Sequence, residues 1–131
     1  MIGLDTNVLV RYIAQDDPVQ SPKAAALIDQ LSDAEPGFIT LVSIVELVWV
    51  MQGCYAATKA ETIAVLDMLL RVRTLCVENA GAVLNAVRSY TRSNADFADC
   101  LIERSAHHAN CSCTMTFDAK AAKTAGMKLL A

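Results

Sequence analysis

The chain begins MIGLDTNVLVRYIAQDDP, Met1 to Pro18, and the fold turns on how its first five residues are read. Met1 to Leu4 form a short apolar run that reads as a first, central strand. Asp5 closes it, with Thr6 and Asn7 directly behind. Val8 to Ile13 then predicts a short helix, stopped by the breaker QDDP.

Outward from this stretch, helical and extended patterns alternate. Ser21-Pro22 predicts a helix start with proline at the first helical position, KAAALIDQL repeats apolar residues at helical spacing, and EPG ends it. FITL is a second strand. In SIVELVWVMQG, Ser43 and Glu46 have capping-box spacing and Gly53 stands at the stop, while Thr58 and Glu61 repeat that spacing before TIAVLDMLLRV. TLCVE is a third strand, AGAVLNAVRSYTRS is helical, and a further helix starts near Ala95 in NADFADCLIERSAHHAN. CSCTMTF alternates Cys111, Cys113, Met115 and Phe117 against Ser112, Thr114 and Thr116, a strand pattern closed by Asp118. AKAAKTAG turns helical again, and MKLLA adds a last short strand. Strands separated by helices imply parallel pairing through right-handed crossovers. The expected fold class is α/β, a three-layer α/β/α sandwich with a central parallel sheet of four to five strands, one domain over residues 1–131.

The composition fits such a domain. At 131 residues the chain can hide roughly two-thirds of its unfolded surface. Hydrophobic residues make up 54%, much of it alanine, with three Phe, three Tyr and one Trp, which favours helices. No apolar run approaches the ~20 residues that cross a bilayer. The acid at Asp5 argues against a signal peptide, so the expected location is the cytoplasm. Five cysteines, Cys54, Cys76, Cys100, Cys111 and Cys113, form an odd set without CxxC spacing. They read as reduced, mostly buried thiols, and Cys111 with Cys113 as neighbours on one strand face, not a zinc pair. A net charge of −3 excludes a nucleic-acid binder of the usual basic kind, unless some acids hold metal ions.

That condition leads to the acids. In open parallel sheets the working crevice lies beyond the carboxyl ends of the strands, where the winding direction changes. Asp5 and Asp118 follow two predicted strands at that edge. Glu46 lies in the first turn of the helix after the second strand, and Asp96 and Asp99 share a face at the start of a helix. Each has a structural explanation taken alone: Asp5 and Asp118 as helix caps, Glu46 as the partner of Ser43, Asp96 and Asp99 as first-turn acids facing a helix dipole. Taken together they would repel one another unless a cation sat among them. Oxygen-only ligands favour Mg2+, with Mn2+ as a substitute, and two such ions suit in-line attack of water on a phosphodiester. Setting the five acids aside leaves nine of fourteen against eleven Lys and Arg, a remainder of +2. A polyanion can approach such a loaded site.

LDTNVLVRYIAQDDPVQSPKA, SIVELVWVM, ADFADCLIERSA and TFDAKAAK, in this order and spacing, resemble the PIN-domain ribonucleases, in particular the VapC-type toxins of bacterial toxin–antitoxin pairs. The resemblance spans essentially the whole chain. It implies an Mg2+-dependent endoribonuclease acting on an RNA substrate, usually a homodimer, silenced by a small antitoxin protein. It also implies that Asp5, Glu46, Asp99 and Asp118 are the catalytic metal ligands. Asp96 matches an extra aspartate one helical turn before Asp99, and either of the two can be the direct ligand. Thr6, Asn7 and Thr116 match residues that support the acids by hydrogen bonding.

Other residues weigh less. His107 and His108 lie two to three turns from Asp99, at the far end of its helix. Ser43 reads as a cap with no base to make it a nucleophile. Trp49, with Leu47, Val48, Val50 and Met51, gives a helix apolar over much of its circumference, either core or dimer face, with burial expected. Arg11, Lys120 and Lys123 lie near the acidic edge, and Arg11 is the expected RNA contact. Two further functions compete. A phosphotransfer protein with Asp5 as nucleophile fails the D-x-D pattern, since Asn7 holds the second position. A non-catalytic binding module would use the acidic cleft to receive a basic segment of a partner.

Overall fold

The structure, a computed structural model, describes residues 1–130. The chain gathers into two compact units, Met1–Glu78 and the part from Asn79 onward.

The first unit runs β1 (Ile2–Gly3), α1 (Thr6–Ala14), α2 (Gln20–Asp29), β2 (Gly37–Ile39), α3 (Leu41–Cys54), α4 (Lys59–Arg71) and β3 (Leu75–Val77). Its three strands form one parallel sheet in the order β1-β2-β3, with Ile2 beside Gly37 and Phe38 beside Cys76. Each neighbouring pair is joined by two helices, as parallel pairing requires. Gly37 sits where bulk is excluded: a Cβ there would lie 2.9 Å from methyls of both Leu4 and Leu31. Those leucines, with Leu9, Ile39, Leu47, Leu66 and Leu69, are buried core.

The second unit comprises α5 (Ala80–Arg92), α6 (Phe97–His108), β4 (Met115–Thr116), α7 (Ala119–Thr124) and β5 (Lys128–Leu129). α5 buries Ala82, Val83, Ala86, Val87 and Tyr90, and α6 buries Phe97, Cys100 and Leu101. Tyr90 and Phe97 meet edge to face with centroids 5.7 Å apart, the favoured geometry of an aromatic pair. β4 and β5 pair in parallel, Met115 beside Lys128.

The fold is therefore mixed α/β with all five strands in parallel pairs, as the alternation predicts, but the ladders divide into three strands and two. Within Met1–Glu78 the winding never reverses, since sequence order and sheet order coincide. The CSCTMTF strand shrinks to Met115–Thr116, because its partner β5 offers only two residues to pair. α2 begins at Gln20, which moves Pro22 from the first to the third helical position. Helix α3 begins at Leu41, so the Phe38 to Leu41 strand loses its last two residues. It also runs past Gly53 to Cys54. Four of the five free cysteines are exposed and only Cys100 is buried, which corrects the expectation of mostly buried thiols. Trp49 is 62% exposed beside buried Leu47 and Val48, so one side of α3 is core and the other is not. Among the described residues no helix is long and apolar enough to cross a membrane.

The Thr58 capping box forms as read: Glu61 N donates to Thr58 Oγ1 and Thr58 N to Glu61 Oε1. α2 is anchored differently. Asp17 Oδ1 accepts from Gln20 N at 2.7 Å and Val19 N at 2.9 Å. The bond from Gln20, then that from Val19, hold the Asp17 carboxyl below its ordinary value. A depressed carboxyl adds stability above its unfolded-state pKa and loses it as pH falls through the folded-state value. Asp17→Ala is thus expected to lower the Tm at neutral pH, with the deficit closing as the pH falls below the ordinary carboxylate range; thermal melts from neutral to strongly acid pH check it.

Candidate active site

Both units carry acids at the junctions where strands feed helices. In Met1–Glu78, Asp5 is the N-cap of α1, and its Oδ1 accepts from Thr6 N at 2.8 Å. Its second oxygen has no hydrogen bond to the protein among the described residues. Thr6 is buried and donates its hydroxyl to Glu46 Oε1 at 2.8 Å, which ties α1 to α3. The cap of α3 is Thr40, whose Oγ1 accepts from Ser43 N at 3.1 Å. The helix starts earlier than the Ser43 reading assumed, so no Ser43–Glu46 capping box exists. Glu46 lies in the second turn, and its bond to Thr6 replaces the capping role.

An acid that sequence reading missed does the first-turn work. Glu78 Oε1 accepts from Leu41 N at 2.8 Å, across 37 positions of sequence that no local pattern connects. Asn7 is exposed, and among the described residues its amide makes no hydrogen bond to an acid. Arg11 is engaged: Nε donates to Gln20 Oε1 at 2.8 Å and Nη1 meets Asp16 Oδ1 at 3.3 Å. Tyr55 Oη donates to Asp16 Oδ2 at 2.8 Å and completes that clamp.

In the second unit, Asp118 caps α7 by accepting from Lys120 N at 2.9 Å, while its own N–H donates to Thr116 Oγ1 at 3.0 Å. Asp96 holds the N-cap position of α6 without making a capping bond. Its Oδ1 meets Lys120 Nζ at 3.3 Å. Asp99 follows in the first turn, half-buried. Burial raises its carboxyl above the ordinary value first, then the charges of Asp96 and Asp118, with Lys120 partly offsetting them. Three carboxylates of one unit thus share a common electrostatic neighbourhood with one ammonium. His107 and His108 are exposed at the other end of α6, where His108 Nε2 lies 2.9 Å from Asn85 Nδ2. Lys123 lines a polar hollow together with Ser89, Arg92, Glu103 and Arg104.

Among the described residues no three His, Cys, Asp or Glu side chains gather closely enough to hold a metal ion. The donor chemistry nevertheless fits a hard cation. Every candidate ligand is a carboxylate oxygen, no thiol or imidazole intrudes, and Asp99 is destabilised in its charged form by its neighbours.

These features define a parallel α/β protein with carboxylates at or near the starts of several of its helices. The family model of the PIN domain matches residues 2–127, and the chain belongs to the PIN-domain family. Its members are generally nucleases that act on RNA or other nucleic acid with divalent metal ions, so nuclease chemistry follows at that level. No curated protein matches the chain significantly.

A carboxyl raised in the folded state weakens folding at every pH where it must ionise. The penalty is absent when both states are protonated and complete above the folded-state pKa. Asp99→Asn is therefore expected to raise the Tm at neutral pH, with the gain vanishing below about pH 3; paired melts of the two proteins measure it.

Proposed function

We propose that the chain is an Mg2+-dependent endoribonuclease that hydrolyses RNA phosphodiesters, serving as the toxin of a VapBC-type toxin–antitoxin pair in the cytoplasm. The observation that carries the reading is the family match over residues 2–127, and it is supported by Asp99, whose ionisation is opposed by burial and by the charges of Asp96 and Asp118, a charge excess that a divalent cation relieves. The family match, running from residue 2 to 127, supports treating the chain as one PIN domain to which both acidic sets belong.

In this reading the metal ligands are Asp5 and Glu46 of the first unit and Asp99 and Asp118 of the second, with Asp96 as a further ligand. Bound Mg2+, or Mn2+ in its place, supplies activation of water and stabilisation of the leaving oxygen. Thr6 orients Glu46 through its hydroxyl, and Thr116 fixes the backbone at Asp118. Asn7 borders the site without bonding an acid. Arg11, held by Asp16 and Gln20, shapes the approach of RNA instead of reaching for it. The exposed side of α3, with Val42 69% and Trp49 62% exposed, supports a homodimer through that face, and a small antitoxin protein is the regulator.

A second reading has one observation in its favour: Lys120 Nζ already rests on Asp96, so these acids accept an ammonium, as the cleft of a non-catalytic binding module would. Metal dependence separates the two. As a nuclease, purified antitoxin-free chain cuts mixed RNA in Mg2+, stops in EDTA, and gains Tm with Mg2+ because the native state alone binds it. Asp5→Asn is expected to cost about 100-fold or more in cleavage while the fold persists. Intact RNA in both Mg2+ and Mn2+, with no shift in Tm, returns the binding module. Trp49→Asp is expected to shift the chain from dimer to monomer in size-exclusion chromatography with light scattering.

A further inference from the structure

α1 and α2 enclose a groove of about 290 Å³ that begins in the first turn of α1. Its walls are two helical stripes. Asn7 and Arg11 stand four apart on α1, and Gln20 and Lys23 stand three apart on α2, each pair on one face. Val8 and Leu27 supply an apolar lining. Resting on the nuclease reading, we infer that this groove holds one nucleotide of single-stranded RNA beside the bond to be cut. Lys23 binds its phosphate, and the amides of Gln20 and Asn7 face its base.

The assignment of roles follows from which donors are engaged. Arg11 sends Nε to Gln20 and Nη1 to Asp16, so its charge is matched within the protein. Lys23 is exposed and makes no ion pair or side-chain hydrogen bond among the described residues, which leaves it the uncompensated cation of the groove. Gln20 has a fixed orientation. An arginine Nε can only donate, so the Gln20 oxygen must face it and the amide NH2 must point away, ready to donate to an acceptor on a base edge. Asn7 adds a second side-chain amide, which makes no hydrogen bond among the described residues. A lone anion would need the cation but not the apolar lining or the amides. A nucleotide uses all three. The groove also opens at Asn7, two residues from Asp5, within the same unit.

The test is binding of a labelled mixed-sequence RNA oligonucleotide to the full chain in EDTA, followed by fluorescence anisotropy over a range of salt. Lys23→Glu is expected to raise Kd roughly tenfold at low salt and to lower the salt slope by about one. Arg71→Glu, on α4, makes the same change in net charge away from the groove and is expected to do markedly less. Gln20→Glu keeps the oxygen that Arg11 needs but removes the NH2 donor, so it is expected to alter preference among oligonucleotides that differ in one base. If Lys23→Glu and Arg71→Glu behave alike and Gln20→Glu leaves base preference unchanged, the groove is no nucleotide subsite, even where wild-type protein cleaves RNA. If wild-type protein never cleaves but the Lys23 and Gln20 effects appear, the groove stands and the nuclease reading falls.

Discussion

Parallel pairing is the constraint from which the rest follows. A parallel strand cannot turn straight back to its neighbour, so each strand must release the chain into a helix. In this protein the release is abrupt: β1, β2 and β4 are two or three residues long, and one or two residues separate each from its helix. The residue at that junction must satisfy backbone N–H groups that have no partner within the helix. Asp5, Thr40 and Asp118 do this, each accepting from a main-chain nitrogen of the helix it opens. Capping and cation binding are therefore not alternatives. An aspartate caps with one oxygen and keeps a second, so the same geometry that starts the helix leaves a charged acceptor at the carboxyl end of the strand.

The two acidic sets are held in different ways. Glu46 is held by a neutral hydroxyl, and the bond costs little because the carboxylate remains exposed to water. Asp99 is placed against its own interest. Half-burial and two like charges oppose its ionisation, and one ammonium, already in contact with Asp96, offsets only part of this. In the proposed nuclease reading, Asp99 is a position where chemistry and stability pull apart.

The sequence carried the order of elements and their type because both depend on local period and punctuation. Helix α5 and the Thr58 cap are legible for that reason. What failed depended on distant partners. The alternation from Cys111 to Phe117 satisfies a strand pattern throughout, yet only Met115 and Thr116 find a partner to pair with, and pattern cannot count the residues of β5. The spacing of Ser43 and Glu46 is a faithful capping signal overridden by Thr40, which stands closer to the end of β2. The bond from Leu41 to Glu78 is invisible to any window along the chain. α3 misled through its composition: with apolar side chains on nearly every face, the burial of Leu47 and the exposure of Trp49 cannot be told apart without the neighbours. Asp5, Asp96, Asp99 and Asp118 stand out in the sequence because acids at the start of helices are a local signal, whereas Glu78 does not, since it serves a helix 37 positions away. The bond that ties Thr6 to Glu46 spans 40 positions, and only the family resemblance had given Thr6 a supporting role.

Charge then sets how such a chain meets a polyanion. At −3 overall it repels nucleic acid at long range, and the acidic sets are the worst place for a phosphate to arrive first. Approach has to begin where a cation is unmatched. Arg11 does not provide this, since Asp16 neutralises it and Tyr55 secures Asp16 in turn. What Arg11 provides is form: a guanidinium fixed at both ends fixes Gln20, and with it the wall of the α1–α2 groove. Lys23 on the same wall keeps its charge free. The division of labour between a clamped arginine and an unclamped lysine, one giving shape and the other attraction, lets an acidic protein receive an anionic chain before any metal has altered its charge.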